Sequence, residues 1–114
     1  MGYEKRVLYS SFNHKSVLKV REYNPKARLA FLHSHEIAMA AEYAKINQVH
    51  ALNPSVTCTL YEDEIRECQK QNIDINVWTV NSETDMQRLV DMGVNAIITN
   101  YPDVGRKIVN EMNG

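Results

Sequence analysis

No apolar run in this chain is longer than a strand, so nothing in it reads as a membrane span. The opening Met1-Gly2-Tyr3-Glu4-Lys5-Arg6 lacks the apolar core of a signal peptide. An excess of one charge is missing too: 13 basic and 14 acidic residues are interspersed and leave a net charge of −1. There is no basic stripe to meet nucleic acid and no acidic tail to meet a basic partner. The only two cysteines, Cys58 and Cys68, have no metal-ligand spacing and read as reduced thiols, which predicts a cytoplasmic protein. Linkers and low-complexity segments are absent as well. The 114 residues, 44% hydrophobic and 24% charged with a mean hydropathy of −0.43, are expected to form one domain over 1–114 with a modest core.

What is present is a recurring unit. Five β-branched or apolar runs, Val7–Phe12, Arg28–His33, His50–Asn53, Ile75–Val80 and Ala96–Thr99, each break off at a polar residue. Their starts lie roughly 20 to 25 residues apart, the length of a compact β/α unit. Helical patterns fill the gaps. The first is expected to begin at Asn13, to bury Val17, Leu18 and Val20, and to stop near Asn24 because Pro25 follows. Ser34 is read as the cap of the second, with Ile37, Ala38, Ala41 and Ala44 on one face. Thr59 and Glu62 suggest a capping box for the third, which would bury Tyr61, Ile65 and Cys68. Ser82 and Asp85 repeat the device ahead of Met86, Leu89 and Val90, and Gly93 sits where a left-handed C-cap belongs. Pro102 opens the fifth helix, with Val104, Ile108 and Met112 as its stripe.

Five such units make an α/β fold with parallel strands: an open sheet or part of a barrel. A closed eight-stranded barrel needs roughly 200 residues or more, so a partial TIM barrel is expected. In such folds chemistry is done at the C-terminal ends of the strands. Those ends carry Ser10, Ser11, Phe12 and Asn13, then His33 and His35, Asn53, Trp78, Thr79 and Asn81, and finally Thr99 and Asn100. The rim is polar and holds two aromatic rings. No Asp or Glu stands on it. These five units supply shape and hydrogen bonds but not charge.

The wording of four segments goes further. Ser10-Ser11-Phe12-Asn13-His14, Asn53-Pro54, Trp78-Thr79-Val80-Asn81 and Gly93-Val94-Asn95-Ala96-Ile97-Ile98-Thr99-Asn100-Tyr101-Pro102-Asp103 occur in the order found in glycerophosphodiester phosphodiesterases. From about Val7 to its end the chain resembles the C-terminal part of that family, barrel strands four to eight. The resemblance implies a barrel that hydrolyses glycerophosphodiesters to an alcohol and glycerol 3-phosphate with a divalent cation, Mg or Ca. It also implies substrate-pocket roles for Phe12 and Trp78, with Asn53 and Asn81 as polar residues close by. The family's H-R-G, H-D and E-x-K motifs do not occur here, the one E-x-D string, Glu83-Thr84-Asp85, opens the fourth helical pattern and stands at no strand end, and His14, His33, His35 and His50 match none of its catalytic histidines. No catalytic or metal-binding residue is therefore assigned, and the chain is expected to be inactive alone.

Each candidate has a plainer reading beside the functional one. Trp78 and Phe12 either line a pocket or fill the barrel interior, and Asn53 either faces a ligand or forms a turn before Pro54. His33-Ser34-His35 is either a strand-end metal pair of a different metal hydrolase or a helix-entry loop. Gly93 and Ile97–Asn100 either present backbone N–H groups to phosphate or simply cap helices. Glu62-Asp63-Glu64 and Arg66 read as a solvated helix face. Two readings of the whole follow. In the first, the chain is the C-terminal portion of a phosphodiesterase, completed by a missing N-terminal half-barrel. In the second it is a non-catalytic module whose bare sheet edges pair with a second copy.

Overall fold

The computed structural model describes residues 8–35, 37–60 and 62–113. The strands are β1 (Leu8–Ser11), β2 (Arg28–His33), β3 (Ala51–Pro54), β4 (Asp74–Val77) and β5 (Ala96–Ile97). The helices are α1 (His14–Tyr23), α2 (Ala40–Ile46), α3 (Glu62–Lys70), α4 (Glu83–Met92) and α5 (Pro102–Asn113), with a 3-10 turn at Val56–Leu60. The expected strand start at Val7 and the expected burial of Tyr61 and Met112 fall on residues or side chains outside those described.

All strand pairings are parallel and the order in the sheet is β1-β2-β3-β4-β5. Sequential order with right-handed crossovers winds every helix onto the same face. The core confirms it: Val17 of α1, Ala41 of α2, Ile65 of α3, Leu89 of α4 and Ile108 of α5 join one cluster with Leu29, Phe31, Leu52, Ile75 and Val77 of the sheet. Because side chains alternate along a strand, Ala30, Ala51, Asn53, Asp74, Asn76 and Trp78 belong to the opposite face. A sheet wound on one side only is a section of a β/α barrel rather than a doubly wound sheet. The five expected β/α units are therefore present, in register.

Helix ends follow local chemistry where the sequence offers it. Asn13 caps α1 by accepting the Ser16 N–H (3.1 Å), and α1 ends at Asn24 before Pro25. Ser82 accepts the Asp85 N–H (3.0 Å), and Gly93 closes α4 in the left-handed region at φ 76°.

Two helix starts differ from expectation. Ser34 caps nothing: α2 begins only at Ala40, after Met39 in the left-handed region, and buries Ala40, Ala41 and Ala44 while Ala38 is exposed. The Ala40 N–H is met instead by Glu64 Oε2 of α3 at 3.3 Å, a long-range cap that no local pattern announces. Thr59 forms no capping box. It is fully buried, its hydroxyl turns back to the Val56 carbonyl (2.6 Å), and Arg88 of α4 donates to both its hydroxyl and its carbonyl at 3.0 Å. β4 and β5 are also shorter than expected, ending at Val77 and Ile97. Just beyond β4 an isolated parallel bridge pairs Trp78 with Ser55: the Trp78 N–H bonds the Pro54 carbonyl and the Trp78 carbonyl takes the Val56 N–H. The Trp78–Thr79 peptide is cis.

Candidate functional site

The C-terminal strand ends bring three of the four sequence-predicted residues into one group. Phe12 follows β1 and is 56% exposed. Its ring meets Trp78, just after β4, edge to face, with centroids 5.6 Å apart and planes at 82°. The indole N–H of Trp78 donates to the Asn53 carbonyl at 2.7 Å, which fixes the ring over β3. Asn53 is a strand residue, 6% exposed, so the alternative turn-forming role is not the one it plays. Its Oδ1 accepts from Asn76 Nδ2 at 2.9 Å. Asn81 stands apart at the β4–β5 side of the rim, where its Oδ1 takes the Thr99 hydroxyl (3.2 Å) and the Asn100 N–H (3.0 Å). Thr99 Oγ1 in turn accepts the Tyr101 N–H at 3.0 Å. The Asn100 and Tyr101 N–H groups ahead of α5 are thus occupied by side chains.

Two residues that sequence reasoning missed support this group. Asn76 precedes Trp78 by two in a strand, so alternation alone puts both on one face. His14 anchors the turn that carries Phe12. Its Nε2 donates to the Leu32 carbonyl (3.1 Å), its Nδ1 meets the Tyr43 hydroxyl (2.7 Å), and its ring stacks on Phe31 with centroids 4.0 Å apart. A neutral ring that donates through Nε2 accepts the Tyr43 O–H through Nδ1, so both nitrogens are satisfied. The S-S-F-N-H run was legible as a motif. Its histidine's partners on β2 and α2 were not.

His33 meets His35 at its backbone carbonyl. His33 lies on the helix-facing side of the sheet, where it lines a small apolar cavity with Leu52, Cys58, Ile65 and Cys68. Its Nδ1 donates to the His35 carbonyl (2.9 Å), and Cys58 Sγ lies 3.9 Å away. Burial pushes its pKa below the ordinary histidine value, the His35 carbonyl opposes the shift, and His14 adds to it. Its Nε2 is buried without a partner among the described residues. Among those residues no group of three or more His, Cys, Asp or Glu is placed to hold a metal ion. The rim therefore offers two aromatic faces and an amide and hydroxyl network, which can hold an uncharged or weakly polar portion of a ligand. Among the described residues the strand ends carry no Asp, Glu, Lys or Arg.

The glycerophosphoryl diester phosphodiesterase family model matches residues 1–104. A glycerophosphodiester phosphodiesterase of Caldanaerobacter subterraneus subsp. tengcongensis is 29% identical over 102 residues, covering 90% of this chain and 42% of its own length. One from Bacillus subtilis is 32% identical over 108 residues, covering 90% of this chain and 36% of its own. The crystal structure of a glycerophosphodiester phosphodiesterase from Parabacteroides distasonis superposes with a TM-score of 0.87 at 25% identity, over 97% of this chain and 46% of that one. The chain spans about two fifths of the length of the curated relatives it matches.

Proposed function

The chain belongs to the glycerophosphodiester phosphodiesterase family, and on that premise we propose that it forms the uncharged, aromatic side of a phosphodiesterase substrate pocket. The observation that carries this reading is the Phe12–Trp78–Asn53 group at the strand ends, with Asn81 across the rim. In it Phe12 and Trp78 wall the pocket, while Asn53 and Asn81 hold the rim's loops in place and lie beside the substrate.

Hydrolysis of a phosphodiester requires charge stabilisation at the phosphoryl oxygens and an acid for the leaving alcohol. A divalent cation, Mg or Ca, is implied by the family resemblance and would stabilise that charge. Such hard cations take carboxylate and other oxygen ligands. The strand ends of the described residues offer amides, hydroxyls and rings, which do not fit as its carboxylate ligands. We assign the cation and the acid–base pair to a second half-barrel, and the polypeptide of these 114 residues is expected to be inactive by itself. In this reading it works in the cytoplasm, in glycerophosphodiester breakdown, and no helix of the described residues is long and apolar enough to cross a membrane.

The test is hydrolysis of glycerophosphocholine with Mg or Ca, by the 114-residue chain alone and then mixed with the H-R-G-bearing half of a family enzyme. Activity only in the mixture is the expected result. Chelator-sensitive hydrolysis by the chain alone would overturn the assignment. A second reading, a self-associating half-barrel without catalysis, is favoured by one observation. β1 and β5 each have a single strand neighbour among the described residues, so both sheet edges can accept another strand. A native mass of one chain at micromolar concentration would remove it.

A further inference from the structure

A row of side chains crosses the helix-free face of the sheet one step below Trp78. In register it runs Leu32, Asn53, Asn76 and Ala96. Trp78 follows Asn76 by two residues on the same face, so the row lies about 7 Å beneath it. Asn53 and Asn76 are the polar members of this row, and Asn76 Nδ2 donates to Asn53 Oδ1 at 2.9 Å. Asn53 is 6% exposed and Asn76 is partly buried. An amide carries two N–H donors and a carbonyl oxygen, so one bond between two amides leaves polar groups over. Asn53 Nδ2 and Asn76 Oδ1 have no hydrogen-bond partner among the described residues. Neither is sealed in the core, because the buried side-chain nitrogen or oxygen without a partner there is His33 Nε2. Exchanging nitrogen and oxygen in both amides would still turn one N–H group and one carbonyl oxygen outward. In the row below, Asp74 is taken up by Arg28 at 3.5 Å and by the Asn95 amide at 3.2 Å, so no unpaired charge adjoins the pair from there. An unmet donor beside an unmet acceptor fits a group that is both at once. A hydroxyl is such a group. A phosphoryl oxygen only accepts, and an alkyl chain does neither. An alkyl ligand would leave both amide groups unpaired in a largely buried place, which penalises it more than the made bonds reward a hydroxyl.

We propose that the Asn53–Asn76 amide pair is a hydroxyl-binding element in the floor of the pocket, taking a hydroxyl of a phosphodiester ligand, an inference that rests on the substrate-pocket reading above. Asn53 Nδ2 donates to the hydroxyl oxygen and Asn76 Oδ1 accepts its proton. Asn76 is the specificity-determining residue of the pair.

The test compares glycerophosphocholine with propylphosphocholine, which share the phosphate and the choline and differ in the two glycerol hydroxyls. Binding to the 114-residue chain is read from the emission of Trp78, the only tryptophan, and from the side-chain amide signals of Asn53 and Asn76 in 1H–15N spectra. Glycerophosphocholine is expected to bind about tenfold more tightly and to shift both amide signals, which propylphosphocholine leaves in place. Asn76→Leu keeps the size of the side chain and removes its polar groups, so it should bring the two ligands within about twofold of each other. Far-UV circular dichroism checks its fold, and the amide shifts of the wild type decide the matter if it does not fold. Equal affinity for the two ligands, or a Trp78 response without amide shifts, would overturn the inference and leave the pocket reading standing. A preference that survives in folded Asn76→Leu would overturn the role of Asn76. Amide shifts as large with free glycerol at the same concentration would overturn the assignment to a phosphodiester. If neither diester perturbs Trp78, the pocket reading falls and the inference falls with it.

Discussion

Asn95 is expected to matter more than an exposed loop residue should. It sits just before β5, which is only two residues long. Its backbone N–H donates to the Ile75 carbonyl at 2.8 Å, and its side-chain Oδ1 accepts the Ile75 N–H at 2.8 Å. The side chain thus stands in for the backbone carbonyl that a longer strand would offer. It also holds Asp74 through Nδ2 at 3.2 Å, an exposed contact that adds little. Asn95→Ala removes the acceptor and leaves the N–H of Ile75, a residue only 2% exposed, without a partner. That costs about 1–3 kcal/mol. For a chain of this size each kcal/mol lowers the midpoint by about 4 °C, so a drop of about 4–12 °C is expected. The assay is equilibrium urea unfolding followed by circular dichroism, with the slope unchanged. Native-state exchange of the Ile75 amide should speed up with it. Asn95→Asp keeps the acceptor but sets a carboxylate against Asp74, so it should recover only part of the loss. An Asn95→Ala variant within about 0.5 kcal/mol of wild type would refute the reasoning.

Arg88 donates twice to the fully buried Thr59, so Arg88→Met is expected to cost about 1.5–3 kcal/mol in the same unfolding assay. Burial lowers the pKa of His33, and burial together with Arg28 and Arg21 lowers that of His50. The unfolded chain therefore binds their protons first, and stability is full above about pH 6.5 and falls as the pH drops through the folded-state values. His50 Nδ1 accepts the Leu29 N–H at 3.0 Å, which an asparagine amide oxygen can also do, so His50→Asn should flatten the unfolding midpoint between pH 7.5 and 5. Burial, with Glu64, Glu42 and Glu67 adding, pushes the Cys68 thiol up to about 11. Iodoacetamide at pH 8 should leave Cys68 unmodified in the native chain and alkylate it on unfolding, as mass spectrometry of the digest would show.

The fold was legible wherever a local rule governs it. Arg28–His33 was read with its observed bounds because an apolar run ended by polar residues admits one reading. The Asn13 and Ser82 caps and the Gly93 stop were legible because one side chain and its own helix decide them. The α2 start was not, because Glu64, 24 residues on, caps it. Thr59 was misassigned for the same reason: its partner Arg88 is 29 residues away. At the site, the rim residues were placed by strand alternation. What alternation could not show is that the Asn53 and Asn81 acceptors already carry hydrogen bonds, or that His33 turns toward the helices.

The most direct test of the account is to map where glycerophosphocholine binds the 114-residue chain, from backbone and indole shifts in 1H–15N spectra. Shifts confined to Phe12, Asn53, the Trp78 indole N–H and Asn81 are the predicted result. Shifts at the cavity lined by His33, Cys58 and Ile65, with none at the rim, would contradict it.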